Sequence, residues 1–409
     1  MSKKVIHCNK MFQKHLHQDI WKYYGYIILS NVLFFLPVDI IFFQERGLNV
    51  TEVFLINAIF SIGVAVFEVP TGAIADLIGR KKSLILGVMA WIVSYCLFFY
   101  GWGFFALTIA YLTWALGSAF TSGADTALIY DILQRNKKAD DFKKYQGIAK
   151  MLGLFTVGGS SILGGIIAEF NLGYTFLFSI IPCLGCLYIL SSISHEEKIS
   201  QNSEGKEKYT KVIVDSLQLI KTNTWLIWLL VTSIVFATGH VLLRPVLQIY
   251  SETSGLAIGF FGIISAYWFF IGAGASALAD AFHKKTKKLS YLFLVLLWIS
   301  GMFLVANILV KWGFLFFGVV AAACTIASII IEHEILKVTP EKRHATILSF
   351  ASFFERIILA GVVALFGYYA QKEGVFYSLQ ITNFIAGILF TLLLFYYFSS
   401  KDKPIIHYE

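Results

Sequence analysis

Long apolar runs dominate this chain, and its polar residues fall in short gaps between them. A helix needs about 20 mostly apolar residues to cross a bilayer. Runs near that length recur at 22–44, 52–75, 83–101, 104–131, 145–169, 173–193, 224–249, 256–279, 288–309, 313–336, 345–370 and 375–399. Lipid offers no partners to an open backbone, and the runs lack the alternation of barrel strands, so each is expected to be a helix. The pattern predicts an all-α membrane protein with twelve transmembrane helices.

The longest polar gap, Ser194 to Asn223, leaves six runs on either side. The expected organisation is an N-terminal six-helix bundle at 1–193, a central loop at 194–223 and a C-terminal bundle at 224–409. Within the loop, Val212, Ile213, Leu217 and Ile220 fall near one helical face of Lys208 to Lys221. That spacing predicts a short amphipathic helix lying at the membrane surface.

Charge adds orientation. Only 14% of residues are charged against 57% hydrophobic, and mean hydropathy is +0.72. A soluble domain carries about 25% charge. The net charge of +8 does not cluster on a soluble domain, so it does not point to nucleic acid. Twenty-eight of the 33 Lys and Arg fall on one side of the predicted helices, while Arg46, Lys311 and Lys372 fall on the other. By the positive-inside rule both termini are expected in the cytoplasm of a multi-pass protein of the cell (inner) membrane. Met1 to Trp21 is too polar for a cleavable signal peptide.

The two halves repeat. Pro37 precedes Gly47-Leu48 by ten residues, and Pro245 precedes Gly255-Leu256 by ten, an offset of 208. Between runs 2 and 3 stands Gly72-Ala73-Ile74-Ala75-Asp76-Leu77-Ile78-Gly79-Arg80-Lys81-Lys82-Ser83. Between runs 8 and 9 stands a weaker copy, Ser276-Ala277-Leu278-Ala279-Asp280-Ala281-Phe282-His283-Lys284-Lys285. Asp76 and Asp280 are 204 apart, which suggests a shortening by about one helical turn. Asp131-Ile132-Leu133 likewise echoes Glu334-Ile335-Leu336. Parallel six-helix repeats of this kind mark transporters with two pseudo-symmetric bundles.

The link also has chemistry of its own. Gly72 and Gly79 allow close backbone approach, Asp76 suits a helix N-terminus, and the Arg80 fork suits a carboxylate such as Asp131. The first copy resembles the loop 2–3 signature of the major facilitator superfamily, which Gly72, Asp76, Gly79, Arg80 and Lys81 match. Loop 8–9 keeps Asp280, Lys284 and Lys285 but has Ser276 and His283 at the glycine positions. The resemblance extends over nearly the whole chain. It implies alternating access, with this link holding the cytoplasmic face closed and Asp76 meeting the region of His344 to Thr346. Because the second copy has lost both glycines, the tight lock is expected at Asp76 and Arg80. The other reading is that Arg80, Lys81 and Lys82 only fix topology. Two features of family antiporters depart here. Gly158-Gly159-Ser160-Ser161-Ile162-Leu163-Gly164-Gly165 keeps the glycines of the helix 5 motif without its proline or spacing, and Trp114 to Thr121 holds no cation.

A charge at mid-bilayer costs roughly 2.5–3.5 kcal/mol on insertion scales and needs a partner or a wet cavity. At about 1.5 Å per residue, Glu68, Asp125, Glu355 and Arg356 fall in one layer of the cytoplasmic half. They are read either as a proton-coupling site and inner gate or as a static, satisfied network. Asp39 and Arg244 occupy repeat positions three residues apart, as an outer gate pair or as two independent interfacial charges. Expected cavity residues are Asn31 and Phe35; Trp114, Ser118, Ser122 and Asp125; His240; Tyr267 and Trp268; and Glu332. With 38 Phe, 20 Tyr and 9 Trp, an apolar or aromatic solute would fit, although most aromatics must face lipid or pack helices.

Other chemistry is set aside. Cys183 and Cys186 sit inside an apolar run and read as small buried residues. His7, His15 and His17 read as a solvated leader. Ile331-Glu332-His333-Glu334 has Lys337 where a zinc-protease helix needs its second His. There is no phosphate loop, so energy is expected from a gradient, with the proton as coupling ion. No metal, cofactor, catalytic residue or nucleic-acid partner is expected. The reading is a monomeric secondary transporter in the bilayer, resembling bacterial drug and metabolite exporters: proton-coupled efflux of small amphipathic compounds. An uptake symporter for a small metabolite and a transporter-like sensor are the alternatives.

Overall fold

The computed structural model describes residues 18–135, 138, 141–193, 218–340 and 344–399, without the side chains of Asp76, Arg135, Lys143 and residues 344–346. The amino-terminal histidines and most of the expected surface helix at 208–221 lie outside the described residues. Among those described, every regular element is helical: α1 (18–30), α2 (Asp39–Glu45), α3 (Val50–Ile78), α4 (Arg80–Tyr100), α5 (Gly103–Thr121), α6 (Ala124–Arg135), α7 (Phe142–Phe170), α8 (Leu172–Ser192), α9 (218–222), α10 (Thr224–Thr253), α11 (Ile258–Thr286), α12 (Ser290–Asn307), α13 (Phe314–Val338), α14 (His344–Glu373) and α15 (Val375–Ser399). Among the described residues, ten stretches are long and apolar enough to cross a membrane. One of them, Ile258–Asn307, holds both α11 and α12. The first predicted span is the exception.

That span is not one helix. α1 stops after residue 30, and 31–38 turns irregularly before α2. Pro37 has no N–H and disfavours helix at Leu36. The released backbone finds side chains from two neighbours. Ser160 Oγ on α7 accepts from Leu33 N at 3.2 Å, and Ser179 Oγ on α8 accepts from Phe34 N at 3.3 Å. Gly164 leaves room for the Phe34 carbonyl, which a Cβ there would overlap. Irregular backbone at membrane depth is tolerated where protein supplies the partners. The predicted span 104–131 is also interrupted, at Ser122–Gly123, where Gly123 takes φ +74° between α5 and α6.

The repeat is closer than the acidic motifs suggest. In the first half α3 ends at Ile78 and Gly79 alone, at φ +94°, turns the chain into α4. In the second half α11 runs straight through Asp280 and His283 to Thr286, and Lys287 turns at φ +47°. The expected link at Asp280 is therefore helix interior. Gly79 and Lys287 are 208 residues apart, as are Gly47 (φ +90°) and Gly255 (φ +72°). The offset of 208 thus holds at both ends of the repeated helix, and the expected shortening does not occur.

Two compact units result. The first comprises Met1–Gly47, Ile59–Ser200 and Ile258–Phe269; the second comprises Leu48–Ala58, Gln201–Ala257 and Phe270–Glu409. This differs from a clean division at the central loop, because one end each of α3 and α11 groups with the other half. Within the first unit an aromatic cluster holds α2, α4, α5 and α8: the Phe176 centroid lies 4.6 Å from that of Phe42 and 4.8 Å from that of Phe98, and Phe43 meets Tyr111 at 5.5 Å. Within the second, Trp228 stacks on Trp225 and Tyr397 at 4.7 and 5.3 Å, and its Nε1 donates to the Leu393 carbonyl.

Candidate functional site

The second unit contains a cavity of about 230 Å³ between α10, α13 and α14. α10 lines it with Ser233, Phe236, Ala237, His240 and Val241, spaced so that they share one helical face. α13 adds Cys324, Thr325, Ser328 and Ile331, and α14 adds Glu355. Ser233 Oγ donates to Glu355 Oε2 at 3.2 Å, and Cys324 Sγ donates to the Phe236 carbonyl at 3.1 Å. The wall thus has one carboxylate, an imidazole, three hydroxyls and an apolar body. Arg356 and Arg244 lie within electrostatic reach of Glu355 and His240 respectively.

Of the expected cavity residues, this wall includes His240. Glu355, expected in the charged layer, joins it. Ser233, Phe236, Thr325 and Ser328 were not anticipated, although their spacing on α10 and α13 was a readable signal. Glu332 is exposed and is not a lining residue. Asn31, Phe35, Trp114, Ser118, Ser122, Tyr267 and Trp268 belong to the first unit. One of these is a correction. Phe35 is 1% exposed, stacked on Phe176 at 4.8 Å and edge-on to Trp114 at 5.5 Å. Trp268 is 3% exposed. Phe35 is a packing residue, because the break in helix 1 turns it into the aromatic cluster. Asn31 Nδ2 donates to the Ile27 carbonyl, and Ser118 Oγ to that of Trp114.

The charged layer divides between the units. Ser122 Oγ, at the break before α6, donates to Glu68 Oε1 at 3.1 Å. Asp125 Oδ1 accepts from Thr126 N at 2.6 Å and lies within electrostatic reach of Tyr23, Tyr26 and Lys150. Glu355 and Arg356 belong to the second unit. Asp39, 1% exposed in α2, belongs to the first unit, and Arg244 to the second.

The glycine and lysine link is well defined on one side. Arg80 Nη1 lies 2.5 Å from Asp131 Oδ1 and 3.0 Å from the Ala127 carbonyl, tying α4 to α6. Lys81 Nζ donates to the Ser191 and Ile193 carbonyls at 3.1 and 2.8 Å, and Lys22 Nζ to Ser192 at 2.5 Å. Two ammonium groups therefore cap the carbonyl end of α8, where a helix favours cations. Gly72 is a correction. It is exposed, and among the described residues a Cβ there would meet nothing within 4 Å, so no close backbone approach is seen at this glycine. The Asp76 side chain and the region of His344 to Thr346 lie outside the described side chains. Asp280 pairs with Lys284 one turn along α11 at 3.0 Å, both well exposed. The buried Glu334 meets Lys337 at 3.3 Å.

Ten apolar stretches, a repeat preserved at its turns and a polar cavity walled by helices define a multi-pass membrane transporter. Residues 24–364 match the Major Facilitator Superfamily, and the chain belongs to that superfamily. It is 24% identical over 372 residues to the uncharacterized MFS-type transporter YxaM of Bacillus subtilis (strain 168), covering 88% of this chain and 91% of that protein. It is 23% identical to the quinolone resistance protein NorA of Staphylococcus aureus (strain MSSA476) over 260 residues, 60% of this chain and 64% of NorA, so that match spans less than two thirds of NorA. The nucleoside transporter NupG shares the fold at TM-score 0.76 with 12% identity, over 95% of this chain and all of NupG. A D-xylose–proton symporter does so at 0.65 and 14%, over 94% and 96%.

Proposed function

We propose that this transporter couples proton movement to the efflux of small amphipathic compounds by alternating access. The observation that carries the reading is Glu355, a half-buried carboxylate hydrogen-bonded to Ser233 on the wall of a cavity with an apolar body. A carboxylate in such a place exchanges a proton for a solute contact, which is what coupling requires. Similarity to NorA supports export as the direction. Glu68 and Asp125 serve the first unit, Asp39 and Arg244 are the outer gate residues of their respective units, and Arg80 with Asp131 braces the lysine-rich end. The lysine bias favours cytoplasmic termini in the cell membrane, and the chain works as a monomer.

The test is proton flux in everted membrane vesicles that carry the protein and are energised to an acidic lumen. Adding a fluorescent amphipathic dye should release protons from the lumen and accumulate dye inside. The Glu355→Gln protein should do neither, at equal abundance in the membrane. Proton uptake into the vesicle lumen along with exported solute, or unchanged coupling in Glu355→Gln, would overturn the reading.

A further inference from the structure

The cavity between α10, α13 and α14 has opposite chemistry at its two ends. On α10, Ser233 and His240 are seven residues apart, about 10 Å along the helix. At the Ser233 end stands the Glu355 carboxylate. At the other stands the His240 ring, solvent-accessible within the cavity, with the Arg244 charge one turn beyond. Phe236 and Ala237 line the space between, and Val241, Thr325, Ser328 and Ile331 complete the wall.

The two ends differ in the charge they favour. A carboxylate offers about four acceptor sites, so one serine hydroxyl leaves room for an ammonium. Arg356 follows Glu355 on α14 but is not a lining residue, since neighbours on a helix point about 100° apart. An imidazole in either protonation state presents an N–H donor, and with Arg244 behind it that end suits an anion. A simple cation would gain at Glu355 and be repelled at the far end. A simple anion would meet the reverse.

We propose that this cavity takes an amphoteric solute, with a protonated amine at Glu355 and Ser233, a carboxylate at His240, and a flat apolar body about two helical turns long against Phe236. The inference rests on the reading of this cavity as the transporter's substrate site and names the class of solute.

The test uses purified full-length protein and para,para′-aminomethyl-biphenyl-carboxylate, a rigid rod with an amine and a carboxylate at opposite ends. Its methyl ester is a cation only and its N-acetyl derivative an anion only. By titration calorimetry the amphoteric probe should bind at least 10-fold tighter than either derivative. Glu355→Gln should erase its advantage over the N-acetyl compound, and His240→Ala its advantage over the ester. If the ester or the N-acetyl compound binds the unmodified protein as tightly, or no probe binds, the proposal is overturned whatever the variants do. Proton-coupled dye efflux persisting in that case leaves the transport reading intact. Conversely, the expected binding pattern without proton-coupled efflux overturns that reading and keeps this one.

Discussion

Arg80 Nη1 sits 2.5 Å from Asp131 Oδ1, and the same guanidinium reaches the Ala127 carbonyl one turn earlier on α6. The pair is partly exposed, so its static contribution is modest, about 1 kcal/mol. Its value lies in position. Gly79 at φ +94° starts α4 at Arg80 itself, so the fork is fixed by the turn that precedes it. Arg80→Ala and Asp131→Asn should each reduce dye efflux at least 5-fold while shifting the unfolding midpoint only slightly. The exchange of both charges, Arg80→Asp with Asp131→Arg, should recover part of the lost rate. No recovery in vesicles of matched protein content would mean that the ion pair is not what transport needs.

The break in helix 1 gives a second prediction. Ser160 and Ser179 accept from the Leu33 and Phe34 N–H groups that a continuous helix would have satisfied. A buried donor left unpaired costs about 1–3 kcal/mol. Ser160→Ala and Ser179→Ala should therefore each lower the thermal midpoint in detergent by several degrees. Ser192→Ala serves as the control: its hydroxyl bonds only one turn back, to Ile189, on an exposed helix end. Equal midpoints for all three would show that the break is held by something else.

Much of this fold was legible because lipid leaves so few options. Runs of apolar residues at Val50 to Ile78 or Phe314 to Val338 can only be helices once the backbone has no water to turn to. The interruptions were harder to read. Pro37 hints at one, but Ser160 and Ser179, which complete it, lie over 120 residues away. The repeat was legible at Pro37 and Pro245. It was misplaced at Asp76 and Asp280, since a shared acid need not sit at the same depth as a shared turn. Site residues suffered most. Phe35 is on a span suited to a cavity, yet polarity alone cannot say which aromatic packs and which lines. Phe236 and Ser233 were missed because their i, i+3, i+4 spacing matters only once Glu355 is known to face it.

Lys287 carries the next prediction. It is the one non-glycine residue among those described with positive φ, and it stands where Gly79 stands in the first half. A side chain in that region costs roughly 1–2 kcal/mol. Lys287→Gly should raise the unfolding midpoint by relieving that cost, offset by the extra freedom glycine gives the unfolded chain. Lys287→Val should lower it, because a branched Cβ tolerates positive φ least. A Val variant as stable as the original would mean that residue 287 does not take a positive φ.

Glycines on α7 and at the end of α3 make opposite predictions from the same residue type. Gly165 faces Gly259 and Gly262 of α11 so closely that a Cβ would lie 2.6–2.9 Å from their backbone atoms, while Ser265 Oγ donates to Ser161 Oγ at 3.3 Å one turn away. Small residues of this kind let membrane helices touch backbone to backbone, where packing rather than hydrophobicity holds them. Backbone cannot move aside as a side chain can, so overpacking there costs typically 1–3 kcal/mol. Gly165→Ala and Gly262→Ala should both lower the thermal midpoint, and the double variant should cost less than their sum because the two sites share one contact. Gly72→Ala, which meets open space on an exposed helix face, should be neutral or slightly stabilising through helix propensity. Midpoints measured in one detergent decide it. A Gly72→Ala loss as large as that of Gly165→Ala would mean that Gly72 has a close neighbour after all.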